Sequence, residues 1–130
     1  MPGQMLPGVQ MIELAKVLKF PPTSGTYMVL PISAVDGDTA RFYWLYEGSA
    51  RIYGINTPEI NVPDSMRGEA AKQFLTGILP RTPVAARVMG PDKYGRTLLD
   101  ILDVQGNSLG QRMIAAGHAL AWDGKGAKPV

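Results

Sequence analysis

Between Tyr27 and Val104 the apolar residues fall into short runs with strand character: YMVLPISAV, ARFYWLY, ARIYGI, VAARVM and TLLDILDV. Each is rich in β-branched, aromatic or alternating apolar side chains, which suit a pleated, half-buried surface. A turn at Glu47-Gly48 is expected between the second run and the third. Two other stretches repeat at the period of a helix. In one, Met66, Ala70, Phe74 and Ile78 form a stripe with Ala71 and Leu75 beside it; Asp64 or Ser65 caps the start and Pro80 ends it. In the other, Ser108-Leu-Gly-Gln111 has the capping-box spacing, Leu109, Met113 and Ala116 continue the apolar face, and Gly117 signals the end. Ahead of all these, Met11, Leu14, Ala15 and Leu18 are spaced for a helix of two to three turns within a segment rich in Gly and Pro.

The order is three strands, a helix, two strands and a second helix. Five strands are too few for a β-sandwich of typical size and suit a small barrel, the five-stranded Greek-key OB-fold, whose outer face often binds oligonucleotides. The expected class is therefore α+β, with helices after strand 3 and after strand 5 and a short helix in an N-terminal arm. The chain divides into an arm over 1–26, a barrel domain over 27–122 and a short basic tail over 123–130.

At 130 residues, 45% of them hydrophobic and 18% charged, the chain can bury one modest core. No apolar run reaches the about 18 residues of a membrane span, and the N-terminus lacks the basic start and unbroken apolar stretch of a signal peptide. A cytoplasmic or virion-associated location is expected, without membrane contact. With no Cys and His118 as the sole His, thiolate nucleophiles, Cys-containing zinc sites and multi-histidine metal sites are excluded. Hard oxygen ligands remain for any metal. A net charge of +2 permits a phosphate ligand without arguing for one.

Charge, glycine and hydroxyl groups concentrate in three segments placed where strands should end: Val35-Asp-Gly-Asp-Thr39, Arg51-Ile-Tyr-Gly-Ile-Asn-Thr-Pro-Glu59 and Asp92-Lys-Tyr-Gly-Arg-Thr97. Hydrolysing a phosphodiester needs a cation on a nonbridging oxygen, a positioned water, and positive charge to meet the transition state. Asp36, Asp38 and Glu59 supply carboxylates, while Arg51 and Arg96 supply forks that match phosphate oxygens. Carboxylate, amide and carbonyl oxygens suit Ca²⁺ or Mg²⁺ and argue against softer metals. Each segment also has a plain reading: Asp36 and Asp38 as turn carboxylates, Arg51 in a strand-surface ion pair, Glu59 as a loop charge. His118 has no acid-base partner in view and is expected to be structural or exposed. Tyr43, Trp44 and Tyr46 would stack on bases or pack in the core, and Trp122 stands where an aromatic would flank a base.

In this order and on these elements, the three segments resemble the staphylococcal nuclease (thermonuclease) family over roughly Ala34 to Ala119. The resemblance implies a calcium-dependent, sugar-nonspecific endonuclease or phosphodiesterase that hydrolyses DNA and RNA, single strands preferred, to 3′-phosphate products. Position by position, it implies that Asp38 and the Thr57 carbonyl ligate the metal, with Asp36 a more distant carboxylate of the same site. Glu59 would hold or deprotonate the attacking water, Arg51 and Arg96 would clamp the scissile phosphate, and Lys93 and Tyr94 would contact a neighbouring one. The implied metal is Ca²⁺, ahead of Mg²⁺ or Mn²⁺.

Three departures accompany the resemblance. Asn56 stands where many members carry a second ligating Asp, so an amide oxygen would replace a carboxylate in the metal set. The stretch Ile60 to Ser65 lacks a lysine-rich loop, and the chain ends soon after Trp122, without a final helix. Two rivals follow: a noncatalytic OB-fold module for nucleic acid or protein, with Asn56 marking a decayed metal site, or a structural subunit of a phage or mobile-element assembly docked on a protein partner through the arm. The joint presence of Arg51, Glu59 and Arg96 favours the enzyme.

Overall fold

The computed structural model describes residues 24–44 and 46–129. The arm helix expected over Met11, Leu14, Ala15 and Leu18 lies outside the described residues. The elements are β1 (Thr26–Ala34), β2 (Thr39–Trp44), β3 (Tyr46–Ile52), β4 (Ile55–Asn56), α1 (Met66–Ile78), β5 (Val84–Pro91), β6 (Thr97–Ile101), α2 (Leu109–Ala115) and β7 (Leu120–Ala121). Strands β1, β2, β3, β6 and β5 follow one another around a closed barrel. All neighbours are antiparallel except β3 and β6, which run parallel. A parallel pair needs a long crossover, and the chain from β4 through α1 and β5 supplies it. This is the α+β OB-fold that the order of elements predicts.

Alternation fixes which side of each strand faces in. Along β2, Ala40, Phe42 and Trp44 are buried while Arg41 and Tyr43 face out, so Trp44 belongs to the core, where it meets Tyr27 edge-on at 6.1 Å between ring centroids. Phe42, Ile52, Leu99 and Ile101 from the barrel are fully buried together with Leu75 of α1 and Leu109 and Met113 of α2. Burial of each such side chain contributes about 1.5 to 3 kcal/mol. The helices thus close the barrel by filling it. Among the described residues no helix is long and apolar enough to cross a membrane.

Several boundaries differ from the sequence reading. Trp44 pairs with Tyr46 and Phe42 with Gly48, so Glu47 and Gly48 lie within β3 and the reversal falls before them. The run ARIYGI splits: β3 ends at Ile52, and Ile55–Asn56 leaves the barrel to form a separate two-stranded ladder with β7. In α1 the buried residues are Gly68, Ala71 and Leu75; Phe74 and Ile78 pack at the margin, while Met66 and Ala70 are exposed. The helix is rotated from the predicted stripe because its closest approach is made by Gly68 onto backbone. Ser65 occupies the N-cap position, without a capping bond from its side chain.

The second helix follows its signals closely. Ser108 Oγ accepts from the Gln111 N–H at 3.4 Å. At the other end Gly117 takes φ +81°, its N–H donates to the Ile114 carbonyl, and the His118 N–H donates to the Met113 carbonyl, the paired bonds of a Schellman stop.

A Cβ added at Gly68 would collide with the Glu59 backbone carbonyl. Gly68→Ala is therefore expected to destabilise the protein by about 1 to 3 kcal/mol as overpacking, and to displace Glu59. Thermal denaturation of the variant checks this; an unchanged Tm would show that α1 does not hold that loop.

Candidate functional site

Strand register brings the three charged segments together. Arg51 on β3 is paired with Thr39 of β2 on one side and Leu98 of β6 on the other. Thr39 closes the first segment, Arg51 opens the second, and Leu98 immediately follows the third, so all three meet at one rim of the barrel. The Ile52 N–H donates to the Asp38 carbonyl at 2.7 Å, which pins the first segment to the second.

Asp92 joins both arginines at this rim. Its side chain is fully buried; Oδ1 accepts from the backbone N–H groups of Tyr94 (2.9 Å) and Arg96 (2.8 Å), and Oδ2 accepts from Arg96 Nε at 2.7 Å. Arg51 Nε lies 3.8 Å from the same Oδ2, a buried ion pair without a hydrogen bond. Burial works against the ionised Asp92, yet the N–H donors of Arg96 and Tyr94 and the Arg96 guanidinium outweigh it and hold the carboxyl below its ordinary range.

Arg51 is itself only 3% exposed. Nη2 donates to Asp38 Oδ2 and to the Ile55 carbonyl, each at 3.1 Å, and the guanidinium lies 5.1 Å from the centroid of the Trp122 ring. The ion pair that sequence would place on the strand surface is therefore an interior one. Arg96 is more open, with 41% of its side chain exposed; Nε is committed to Asp92, and the guanidinium lies 5.0 Å from the Tyr94 ring. Its terminal nitrogens remain outside the Asp92 bond.

Asp38 is buried, accepting from Thr57 N–H (3.0 Å), Arg51 and the Thr39 hydroxyl (3.2 Å). Asp36 accepts from the Asp38 N–H at 3.1 Å. Its carboxyl is pushed up to about 6 by burial and then by the neighbouring Asp38 carboxylate. Thr57 is buried beside them, and Asn56 Oδ1 is a buried oxygen with no hydrogen-bond partner, while Asn56 Nδ2 donates to the Pro129 carbonyl at 3.3 Å. Among the described residues no group of three His, Cys, Asp or Glu is gathered for a metal. A hard cation is nonetheless compatible with this corner through the orphaned Asn56 amide oxygen, with Asp38 sharing oxygens that already accept from Arg51, Thr57 and Thr39.

Glu59 is 62% exposed at the side chain and has Lys128 Nζ 3.8 Å from Oε1. Lys128 belongs to the tail, whose described part, 123–129, folds back over the rim. Lys93 is fastened to it: the N–H donates to the Gly124 carbonyl at 2.9 Å and Nζ to the Gly126 carbonyl at 2.6 Å. Trp122 Nε1 donates to the Lys125 carbonyl at 2.7 Å. Lys128 Nζ also lies 5.5 Å from the Tyr94 ring and 5.8 Å from the Trp122 ring. Tyr94 thus stands between Lys93, Arg96 and Lys128, exposed to solvent.

Every candidate site residue accordingly lies at this rim, though Arg51 and Lys93 arrive with protein partners already in place. Two residues escaped the sequence reading. Asp92 was readable, since an Asp followed by loop N–H groups two and four residues on is the signature of a side chain that ties its own turn. Lys128 carried no pattern of its own. His118 is half-buried, with its ring tilted on Phe74 at 4.9 Å.

Residues 49–128, more than half of the chain, match the protein family described as "Staphylococcal nuclease homologue". The matched stretch contains Arg51, Glu59 and Arg96 and begins after Asp36 and Asp38. No curated protein matches the chain.

The Asp92 cluster makes stability depend on acid. A carboxyl whose folded pKa is depressed stabilises the fold fully above its ordinary value of 3.8, and that contribution is lost as the pH falls through the lower folded value. Asp92→Ala should remove about 3 kcal/mol, the lower end for breaking a buried pair because Asp38 still faces Arg51, and should flatten stability against pH below about 4. Urea denaturation from pH 2 to 7 measures both; identical curves for variant and wild type would refute the assignment.

Proposed function

The chain belongs to the staphylococcal nuclease homologue family, and on that premise we propose that it is a metal-dependent phosphodiester hydrolase, a sugar-nonspecific endonuclease that cuts single-stranded DNA and RNA to 3′-phosphate products. The observation that carries this reading is the register of β3: it sets Arg51 beside the Asp38 and Arg96 segments, with Glu59 reached through the adjoining loop.

Each residue has a role that its surroundings support. Glu59, open to solvent, holds a water and takes its proton as oxygen attacks phosphorus and the bond to the 5′ oxygen breaks, the departing oxygen taking a proton from solvent to leave as a 5′-hydroxyl. Arg96, oriented by Asp92, turns its terminal nitrogens to nonbridging oxygens, whose charge grows in the transition state. Arg51 does the same through the terminal nitrogen not committed to Asp38 and Ile55. Lys93 and Tyr94 meet a neighbouring phosphate, for which Lys93 exchanges the Gly126 carbonyl. Asp38, Asn56 Oδ1 and the Thr57 carbonyl would hold Ca²⁺, ahead of Mg²⁺ or Mn²⁺, with Asp36 alongside. When bound, that ion withdraws charge from a phosphate oxygen. Phosphate clamps carry no base information, so the substrate is nucleic acid of any sequence.

The buried Arg51 and the sparse metal donors favour one rival, a module that binds nucleic acid without cutting it. One experiment separates the two: incubation of the purified chain with single-stranded DNA or RNA, with Ca²⁺ or with chelator. Metal-dependent fragments ending in 3′-phosphate are expected, and Glu59→Gln and Arg96→Ala should each lower kcat by roughly 10²- to 10³-fold without change of fold. Retained binding with no cleavage would establish the module.

Asn56 decides how much metal is needed. Exchange of a carboxylate for an amide keeps a ligand oxygen but removes a charge, so Asn56→Asp should tighten Ca²⁺ binding with a similar or higher rate at saturation. Calorimetric and activity titrations of both proteins check this, and equal affinities would remove Asn56 from the metal set.

A further inference from the structure

A pocket of about 560 Å³ opens from the rim on the Glu59 side; Asn56, Thr57 and Glu59 form the wall it shares with the site described above, and the opposite wall has no role in that site. Pro58 and Leu120 contribute apolar wall and Arg67, His118 and Lys128 contribute polar groups on the side away from Asn56, Thr57 and Glu59. Lys93, Tyr94 and Arg96 are not part of its lining. We propose that this pocket is a second nucleotide subsite, taking the nucleotide on the Glu59 side of the scissile phosphate while Lys93 and Tyr94 serve the nucleotide on the other. The inference rests on the hydrolase reading for which phosphate is cut.

The occupant follows from shape and charge. A volume of 560 Å³ lies within the usual range for small-molecule pockets and accommodates one nucleotide. Single strands are gripped by a surface for the base plus a cation for the phosphate. The His118 ring, set against Phe74 at 4.9 Å, gives a flat surface fixed in place. Arg67 is exposed and has no ion pair among the described residues, which leaves its charge for a phosphate. Lys128, 3.8 Å from Glu59, joins the pocket to the rim, so a strand crossing Glu59 passes from one to the other. A duplex keeps its bases stacked and has none to insert, which makes the pocket a reason for preferring single strands.

The test uses the whole chain in chelator, so that binding is read apart from cutting. Fluorescein-labelled decathymidylate is followed by anisotropy, and thymidine 3′,5′-bisphosphate, whose single nucleoside is expected on the Lys93 and Tyr94 side and cannot fill both subsites at once, is measured as competitor. Arg67→Ala and His118→Ala should each weaken the decamer by about five- to tenfold with little change for the bisphosphate, and Arg67→Ala should lower the slope of log K against log salt by about 0.7. Arg87→Ala, an exposed β5 arginine outside the pocket, controls for net charge. No binding of the decamer by the wild type, equal weakening of both ligands, no effect of either variant, or an equal effect of Arg87→Ala overturns the subsite. Binding with the expected pattern but no cleavage in Ca²⁺ keeps the subsite and sinks the hydrolase reading; cleavage without the pattern does the reverse.

Discussion

Asp92 holds the rim together. Its two oxygens answer two backbone N–H groups and the Arg96 guanidinium, and they face Arg51 across 3.8 Å. Asp38 takes the opposite side of Arg51 and the Thr57 N–H. A chain of alternating charge, Asp38, Arg51, Asp92, Arg96, therefore runs across three strands of a small barrel. Buried charges are tolerated there because each has a partner and most have further hydrogen bonds; Arg51 and Asp92 each have two charged partners, so loss of one member weakens the chain while the next partner still compensates. The same chain fixes the orientation of both arginines without using the terminal nitrogens of Arg96.

Glu59 is held differently. Its side chain is free of the network, and its position comes from the backbone: Gly68 of α1 sits on its carbonyl, Ala71 of the same helix would touch any side chain added at Gly37, and Gly37 lies between Asp36 and Asp38. One helix face thus adjusts both the acid and the carboxylate loop. Small residues are needed at these contacts because a methyl group has no room, which links core packing directly to the spacing of the candidate site.

Much of this was legible in sequence, and the failures have physical causes. The Ser108 cap, the Gly117 stop and the strand runs other than ARIYGI are local signals, decided by backbone dihedrals and nearest neighbours, and they fell where expected. The Glu47-Gly48 turn did not, because β2 and β3 pair directly from Trp44 and Tyr46 outward; an expected Gly turn lost to register, which is a property of two strands at once. The stripe of α1 was displaced for a similar reason, since periodicity ranks apolar residues and gives no credit to Gly68, whose value is the absence of a side chain. For the site, motif residues were readable one by one. The burial of Arg51 and the return of Lys128 to Glu59 were not, because the first depends on Asp38, Asp92 and Trp122 converging from distant segments and the second on how the tail lies against Trp122.

The balance of charge at the rim bears on the order in which ligands assemble. Asp92 and Asp38 are committed to arginines, and Asn56 brings no charge, so little carboxylate remains for a cation. Against this stand Arg51, Arg96, Lys93 and Lys128, gathered around the Tyr94 and Trp122 rings. The local field thus leans toward anions. On the proposed reading, phosphate completes the oxygen set that the protein leaves short, as hard cations bound by few carboxylates commonly require. Substrate and metal would then raise each other's affinity by the same factor, and a cation that is weakly held alone becomes well held on nucleic acid. The exchange of a carboxylate for an amide at position 56 would in that case shift the sequence of binding while leaving Glu59 and Arg96 to act on phosphorus as before.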